Sequence, residues 1–201
     1  NSIFSEIFLK TIKKNKFKSP IILICSKKLF IKQANILNQN IKFHEIKEKI
    51  YLSKKIQYKR LNLIDVEYNQ SKAFEKITSK SNKYISKCFK VALKLMVNGI
   101  SDKFINGPIS KESFLKDKYS GITEYLAKKT KTKKFAMVIY NSKLSVCPIT
   151  THIPIKHVSK KIKKVEVVNK VKLISSFWKK KFNSKVKIAV TGLNPHCESI
   201  D

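Results

Sequence analysis

Two histidines stand directly after apolar runs: His152 follows residues 144–151, and His196 follows residues 186–193. Both runs predict buried β-strands, and residues 158–182 between them have the apolar spacing of a helix. A strand, a helix and a second strand form a βαβ unit with parallel strands. Parallel strands end at one edge of the sheet, where open α/β sheets bind ligands. We therefore predict that His152 and His196 lie close together in a metal site.

Two imidazoles do not complete such a site, because a catalytic divalent ion usually has three protein ligands and an open position. Other candidate ligands near the two motifs are weak. His157 lies among lysines at a predicted helix start, and Glu198 and Asp201 follow the second motif without a supporting element. Cys197 directly follows His196 and could lie near the ion, although the four cysteines show no CxxC spacing.

Two turns between predicted elements could bind anions. The turn Gly107-Pro108-Ile109-Ser110 precedes a predicted helix, and free amides at that helix start together with the Lys111 ammonium suit a phosphate or carboxylate. The segment Ser-Gly-Ile-Thr-Glu at 120–124 also enters a helix, whose first turn offers amides and the Thr123 hydroxyl. Either turn could equally be an ordinary connection between a strand and a helix.

The whole chain alternates between the two apolar periodicities, which predicts an α/β fold with a mostly parallel, three-layer sheet. Helices are predicted over residues 4–14, 29–37, 71–97, 123–129 and 158–182. Strands are predicted over residues 21–25, 41–46, 61–66, 103–106, 135–140, 144–151 and 186–193. The sequence shows no internal repeat and no GxGxxG motif, and it has no convincing Ser/His/Asp order.

The formal net charge of +31 first suggests a nucleic-acid or membrane partner. Arg60 is the only arginine, however, and the lysines are spread through every segment of the chain. Nucleic-acid readers favour the planar fork of arginine, so we expect a solvated lysine surface and no nucleic-acid partner. No apolar run is long enough to span a membrane. The cysteine pattern favours reduced thiols, and we expect a cytoplasmic protein.

The motifs together resemble the 4-hydroxythreonine-4-phosphate dehydrogenase family of vitamin B6 (pyridoxal phosphate) biosynthesis. The resemblance rests on four segments in order: residues 105–111 (INGPISK), 120–127 (SGITEYLA), 150–154 (TTHIP) and 192–196 (GLNPH). It covers nearly all of residues 1–201, which we expect to be one family domain. We also expect a piece of a longer protein, without the family's first strand and C-terminal part.

The resemblance implies a fold like that of isocitrate and isopropylmalate dehydrogenases, with two subdomains around a cleft, in a homodimer with a shared active site. It implies a metal- and NAD-dependent oxidoreductase that uses Zn, Mg or Co. The enzyme would oxidise 4-phosphohydroxy-L-threonine to the 2-amino-3-oxo acid, which decarboxylates to 3-amino-2-oxopropyl phosphate. His152 and His196 match two metal-binding histidines of the family, whose third lies beyond Asp201. Thr123 matches a substrate-contacting threonine.

One position departs from the family pattern. The residue before Thr123 is a substrate-binding histidine in the family, whereas this chain has Ile122. An aliphatic side chain removes a hydrogen bond or a charge at that point. The departure leaves open a sister dehydrogenase that acts on another phosphorylated hydroxy acid, such as threonate 4-phosphate.

Overall fold

The structure is a computed structural model that describes residues 2–46, 56–116 and 118–194. The chain divides into two compact units, Asn1–Lys116 and Asp117–Asp201. The first unit contains the helices α1 (Phe4–Lys14), α2 (Lys27–Ile36), α3 (Asn82–Val97) and α4 (Lys111–Leu115) and the strands β1 (Ile22–Cys25), β2 (Phe43–Glu45) and β3 (Leu61–Asp65). The second contains the helices α5 (Ile122–Lys129), α6 (Val158–Lys161) and α7 (Lys164–Phe182).

The three strands of the first unit form a parallel sheet in the order β1-β3-β2. The middle strand β3 pairs on both sides, with Leu63 opposite Leu23 of β1 and Glu45 of β2. A central parallel strand is covered on both faces, which explains why Leu61, Leu63 and Ile64 of β3 are all buried.

Helices cover both faces of this sheet. On one face, Leu9 of α1 and Phe30 of α2 pack with Leu63. On the other face, Val91 and Leu95 of α3 pack with Ile64. The first unit thus confirms the predicted α/β class and its helix–sheet–helix layers, because one apolar helix face is available for each face of the sheet.

Local sequence signals set the helix boundaries in the first unit. The Ser26 hydroxyl accepts a hydrogen bond from the Leu29 amide and caps α2, and the Ser110 hydroxyl accepts one from the Ser113 amide and caps α4 as predicted. The helix predicted over 71–97 begins only at Asn82, after a short 3-10 turn at Ser79–Ser81. The prediction of a strand over 103–106 was wrong, since those described residues pair with no other strand.

The second unit corrects three predicted strands. Among its described residues, 135–140 and 144–151 meet in a single antiparallel bridge between Ile139 and Val146, and 186–193 form no strand. The prediction assumed that these apolar runs are buried in a sheet, but Leu144 is 74% exposed and Val190 is 64% exposed. An apolar run becomes a strand only where neighbouring strands take its hydrogen bonds.

The described residues therefore contain no parallel βαβ unit that would place His152 and His196 at one edge of a sheet. The connecting helix is also divided, because Ile162 and Lys163 adopt extended backbone between α6 and α7. The helix of the SGITE segment, in contrast, was predicted correctly and forms α5. No helix among the described residues is long and apolar enough to cross a membrane.

A convergence of Gly121, Glu124 and His152

The start of α5 is held in place by its own apolar side. Tyr125 and Ala127 are buried, and the Tyr125 ring packs edge-to-face on Tyr119 with centroids 5.3 Å apart. The Tyr125 amide donates to the Gly121 carbonyl at 3.1 Å, which closes the first turn. Gly121 is the N-cap residue and has no side chain to cap the first amides. The first turn of α5 therefore presents Thr123 and Glu124, both half-buried, from a fixed position.

His152 lies in a turn with an unusual backbone. Its φ of 52° places it in the left-handed region, which costs a residue with a Cβ roughly 1–2 kcal/mol. The next turn is tied down by Pro154, whose carbonyl accepts a hydrogen bond from the His157 amide at 2.9 Å. The His152 side chain is exposed, so the turn directs an imidazole to the surface of the second unit.

Gly121 is where the two segments meet. A Cβ built on Gly121 would lie 2.9 Å from Oε2 of Glu124 and 3.7 Å from Nε2 of His152. The Glu124 carboxylate, from α5 itself, and the His152 imidazole, from a separate turn, therefore both lie near the Gly121 backbone. Gly121 itself is extended, with φ −167°, so no special backbone angle calls for a glycine at this position.

Lys111 belongs to the first unit and begins the five-residue helix α4. The preceding turn packs against α1: a Cβ on Gly107 would overlap the Phe4 ring, and the Ser2 hydroxyl donates to the Pro108 carbonyl at 3.1 Å. The close approach of the Phe4 ring explains why a glycine stands at position 107. The Lys111 side chain is exposed, and its predicted role in anion binding stays a prediction.

The carboxyl edge of the sheet in the first unit is closed by its own side chains. The Lys27 amide at the start of α2 donates to Oδ1 of Asp65 at 2.8 Å. The Lys27 ammonium contacts Glu45, and this hydrogen bond raises the Lys27 pKa. Because Asp65 already occupies the first amide of α2, this edge does not present an empty anion site.

The predicted histidine pair is only half described. His196 lies outside the described residues, and its role as a metal ligand stays a prediction. Among residues 2–46, 56–116 and 118–194, no group of three His, Cys, Asp or Glu side chains could hold a metal ion. The structure instead brings Glu124 to His152. Glu124 belongs to the SGITE segment, in which only Thr123 was predicted as a site residue, because no sequence signal links the helix start to the TTHIP turn.

A separate groove of about 560 Å³ in the second unit is apolar. It is lined by side chains that come from residues 134–140 and α7: Lys134, Phe135, Ala136, Val138, Tyr140, Leu173, Ile174, Phe177, Trp178 and Phe182. Thr123, Glu124 and His152 are not among its lining residues. A groove with one charged side chain suits apolar contacts and not a phosphorylated substrate.

Comparison with known protein families shows the family to which the chain belongs. The family model described as "Pyridoxal phosphate biosynthetic protein PdxA" matches residues 16–199. The chain belongs to the PdxA family. The matched range includes all four segments on which the resemblance rests, and it confirms that resemblance.

The relatives that match this chain have the names of two different dehydrogenases. The chain is 35% identical to a 4-hydroxythreonine-4-phosphate dehydrogenase of Sulfurihydrogenibium sp. (strain YO3AOP1), and the match covers 98% of this chain and 61% of the relative. It is 31% identical to the Aquifex aeolicus enzyme of that name, covering 95% and 59%. It is 27% identical to a D-threonate 4-phosphate dehydrogenase of Salmonella typhimurium, covering 95% and 60%. The chain thus spans about three fifths of these relatives.

A solved structure supports the same relationship in three dimensions. A Salmonella typhimurium protein of known structure, which carries a provisional 4-hydroxythreonine-4-phosphate dehydrogenase name, superposes on this chain with a TM-score of 0.82. The sequences are 26% identical, and the match covers 96% of this chain and 61% of the other. The described fold is therefore that of a PdxA-family protein.

Proposed function

We propose that this chain provides part of the active site of a metal- and NAD-dependent dehydrogenase. The proposed substrate is 4-phosphohydroxy-L-threonine, which is oxidised to the 2-amino-3-oxo acid. This acid loses CO₂ to give 3-amino-2-oxopropyl phosphate in pyridoxal phosphate biosynthesis. The names of the two relatives above 30% identity support the substrate. The observation that carries the site is the approach of His152 to Gly121 and Glu124.

The side chains at this point fit a divalent metal by their chemistry. An imidazole nitrogen and a carboxylate oxygen are ligands that Zn²⁺ and Co²⁺ accept, and carboxylate also suits Mg²⁺. We propose that His152 and His196 hold the ion. When bound, a divalent ion lowers the pKa of a substrate hydroxyl and polarises the carbonyl that forms on oxidation.

The other predicted residues have binding roles in this proposal. The Thr123 hydroxyl, in the first turn of α5, donates a hydrogen bond to the substrate. The Lys111 ammonium attracts the phosphate, and the surplus of lysines increases the encounter rate with the anionic substrate and NAD. The proposal includes a homodimer with a shared active site, two subdomains around a cleft as in isocitrate dehydrogenase, and a cytoplasmic location. Reduced cysteines favour that compartment, and Cys25, Cys88 and Cys147 are free thiols.

A second candidate is a D-threonate 4-phosphate dehydrogenase. One observation favours it: Ile122 stands where the resemblance expects a substrate-binding histidine, and Ile122 lies half-buried at the first position of α5. A relative of this name covers 95% of the chain at 27% identity. The two candidates differ at the group beside the oxidised hydroxyl, which is an ammonium in one substrate and a hydroxyl in the other.

His152→Ala in the whole protein tests the proposed site. We expect NADH formation to fall by more than about 100-fold, since residues that only support metal ligands already contribute about 10–100-fold. His157→Ala is the matched control, because this exposed histidine lies five residues further and binds the neighbouring turn through its backbone amide. Activity of His152→Ala within twofold of the control would contradict the metal-binding role of His152.

A further inference from the structure

The segment that contains Lys111 depends on its neighbours for its position. Lys111 begins α4, which has five residues and ends at Lys116 in the left-handed region, with φ 47°. A helix of one turn is not stable by itself, because ordering the first turn is unfavourable and few hydrogen bonds form. The position of the Lys111 side chain, and with it the proposed phosphate contact, is therefore set by contacts of α4 with the rest of the first unit.

Apolar contacts hold α4 against α3. The Phe114 ring stacks on the Phe89 ring of α3, with ring centroids 5.8 Å apart and the ring planes inclined by 15°. Leu115, the last residue of α4, is buried. These contacts keep α4 at the surface of the core, but the hydrophobic effect is non-directional. Apolar packing alone therefore determines the rotation of α4 about its own axis only weakly.

Asn82, the first residue of α3, supplies a directional contact. Its Nδ2 donates to the Ser113 carbonyl at 2.7 Å, and its Oδ1 accepts a longer hydrogen bond from the Ser113 hydroxyl at 3.4 Å. The Ser113 carbonyl lies in the last turn of α4, where the carbonyls of a helix have no partner within it. Both polar atoms of one half-buried amide thus bind a single residue of α4, which fixes an orientation as a ring stack does not.

This contact sets the direction in which Lys111 points. Lys111 and Ser113 are two residues apart, which places their side chains about 200° apart around a helix. Because Ser113 is turned towards α3, Lys111 is turned away from it, and its side chain is exposed. The turn before α4 is fixed from another direction, since the Phe4 ring of α1 lies against Gly107. The segment 107–111 is therefore held by α1 and α3 together.

We propose that Asn82 is a positioning residue for Lys111. By holding Ser113, it keeps α4 in the orientation that presents the Lys111 ammonium to the substrate phosphate. The inference rests on the proposed function, in which Lys111 attracts that phosphate, and extends it to a residue that acts through α4. An ammonium on a fixed helix binds an anion more tightly than one on a mobile segment, because less conformational entropy is lost on binding.

Steady-state kinetics of the whole protein test the inference, with 4-phosphohydroxy-L-threonine, or with D-threonate 4-phosphate if only that is turned over. The variant is Asn82→Ala. Ser81→Ala is the matched control, since the neighbouring Ser81 hydroxyl donates to the Thr78 carbonyl at 3.3 Å and not to α4. We expect Asn82→Ala to raise KM by about 3–10-fold, the effect of one hydrogen bond, and to leave kcat within twofold. Ser81→Ala should leave both within twofold.

The division between KM and kcat separates positioning from a purely structural role. The phosphate is not the group that reacts, so weaker phosphate binding raises KM at unchanged kcat. Partial unfolding instead lowers the concentration of active protein, which reduces kcat and leaves KM as it was. Lys111→Ala should raise KM by about 10–100-fold, the effect of a hydrogen bond to a charged group. Asn82→Ala added to Lys111→Ala should raise KM no further, because both changes act on one contact.

The outcomes distinguish a failure of the inference from a failure of the proposed function. Wild-type KM in Asn82→Ala, with a raised KM in Lys111→Ala, would overturn the role of Asn82 and leave the proposed function intact. A further rise of KM in the double variant would likewise overturn it, because Asn82 would then act independently of Lys111. Wild-type KM in Lys111→Ala would overturn both the inference and the proposed role of Lys111. Absence of turnover by the wild type would overturn the proposed function and the role of Asn82 with it.

Discussion

One added methyl group at Gly121 tests whether the start of α5 can accept a side chain at this position. In Gly121→Ala the new Cβ would lie 2.9 Å from Oε2 of Glu124, closer than carbon and oxygen normally approach. The atom in the way is the end of a flexible side chain, so the carboxylate moves aside at small cost. The 3.7 Å distance to Nε2 of His152 is ordinary van der Waals contact and requires no movement.

The stability change in Gly121→Ala is expected to be small. The extended backbone, with φ −167°, is available to alanine without strain. Alanine is a poorer N-cap than glycine by about 0.5–1 kcal/mol. Loss of glycine freedom in the unfolded chain offsets this by about 0.4–1 kcal/mol. The net change in unfolding free energy should therefore stay below about 1 kcal/mol.

Gly107→Ala is the comparison that calibrates this result. There the new Cβ would overlap the ring of Phe4, which begins α1 and packs on Phe8 with ring centroids 5.8 Å apart. A packed ring has no free space to move into, so overpacking should cost about 1–3 kcal/mol. Urea unfolding of both variants gives the assay. A loss above about 2 kcal/mol in Gly121→Ala would refute the reasoning.

Three further predictions concern the core, a buried thiol and the surface charge. Leu63→Ala should lower the unfolding free energy by about 2–5 kcal/mol in urea titrations, since Leu63 is fully buried in β3, whereas the exposed Leu144→Ala should change it by less than about 0.5 kcal/mol. Burial raises the pKa of Cys88 from 9.0 to about 11, so its contribution to stability is complete below pH 9 and is lost as the pH rises towards 11. The urea midpoint should fall in that window, and less so in Cys88→Ala; an identical fall in both would contradict the assignment. Binding to duplex DNA should be absent at 150 mM salt; tight binding with a steep salt dependence would show that the charge serves nucleic acid.

Prediction from the sequence was reliable for elements that their local sequence pattern alone determines. The helix at 4–14 was predicted with its exact bounds, and the start of α4 followed from Ser110 as its cap. The strand β3 was predicted to within one residue, because its apolar residues Leu61, Leu63 and Ile64 face the two covered sides of a central parallel strand. These signals are local, and the elements they form pack in the way the local pattern requires.

Prediction failed where an element depends on distant partners. The runs before His152 and His196 have the composition of strands. Among the described residues, however, the first takes part only in the bridge between Ile139 and Val146, and the second forms no strand. Hydrogen-bonding partners for a strand cannot be read from its own apolar run. Glu124 was missed for the same reason, since its proximity to His152 arises from two segments that are separated by 28 positions in the sequence.

The most direct test of the proposed function is NADH formation by the whole protein with 4-phosphohydroxy-L-threonine, with and without added divalent metal. D-threonate 4-phosphate serves as the competing substrate in the same assay. We predict metal-dependent turnover of the amino-bearing substrate with a clear preference over the hydroxy acid. Turnover of D-threonate 4-phosphate alone would contradict the proposed substrate and establish the sister activity. Absence of turnover with both substrates would contradict the dehydrogenase function of the protein.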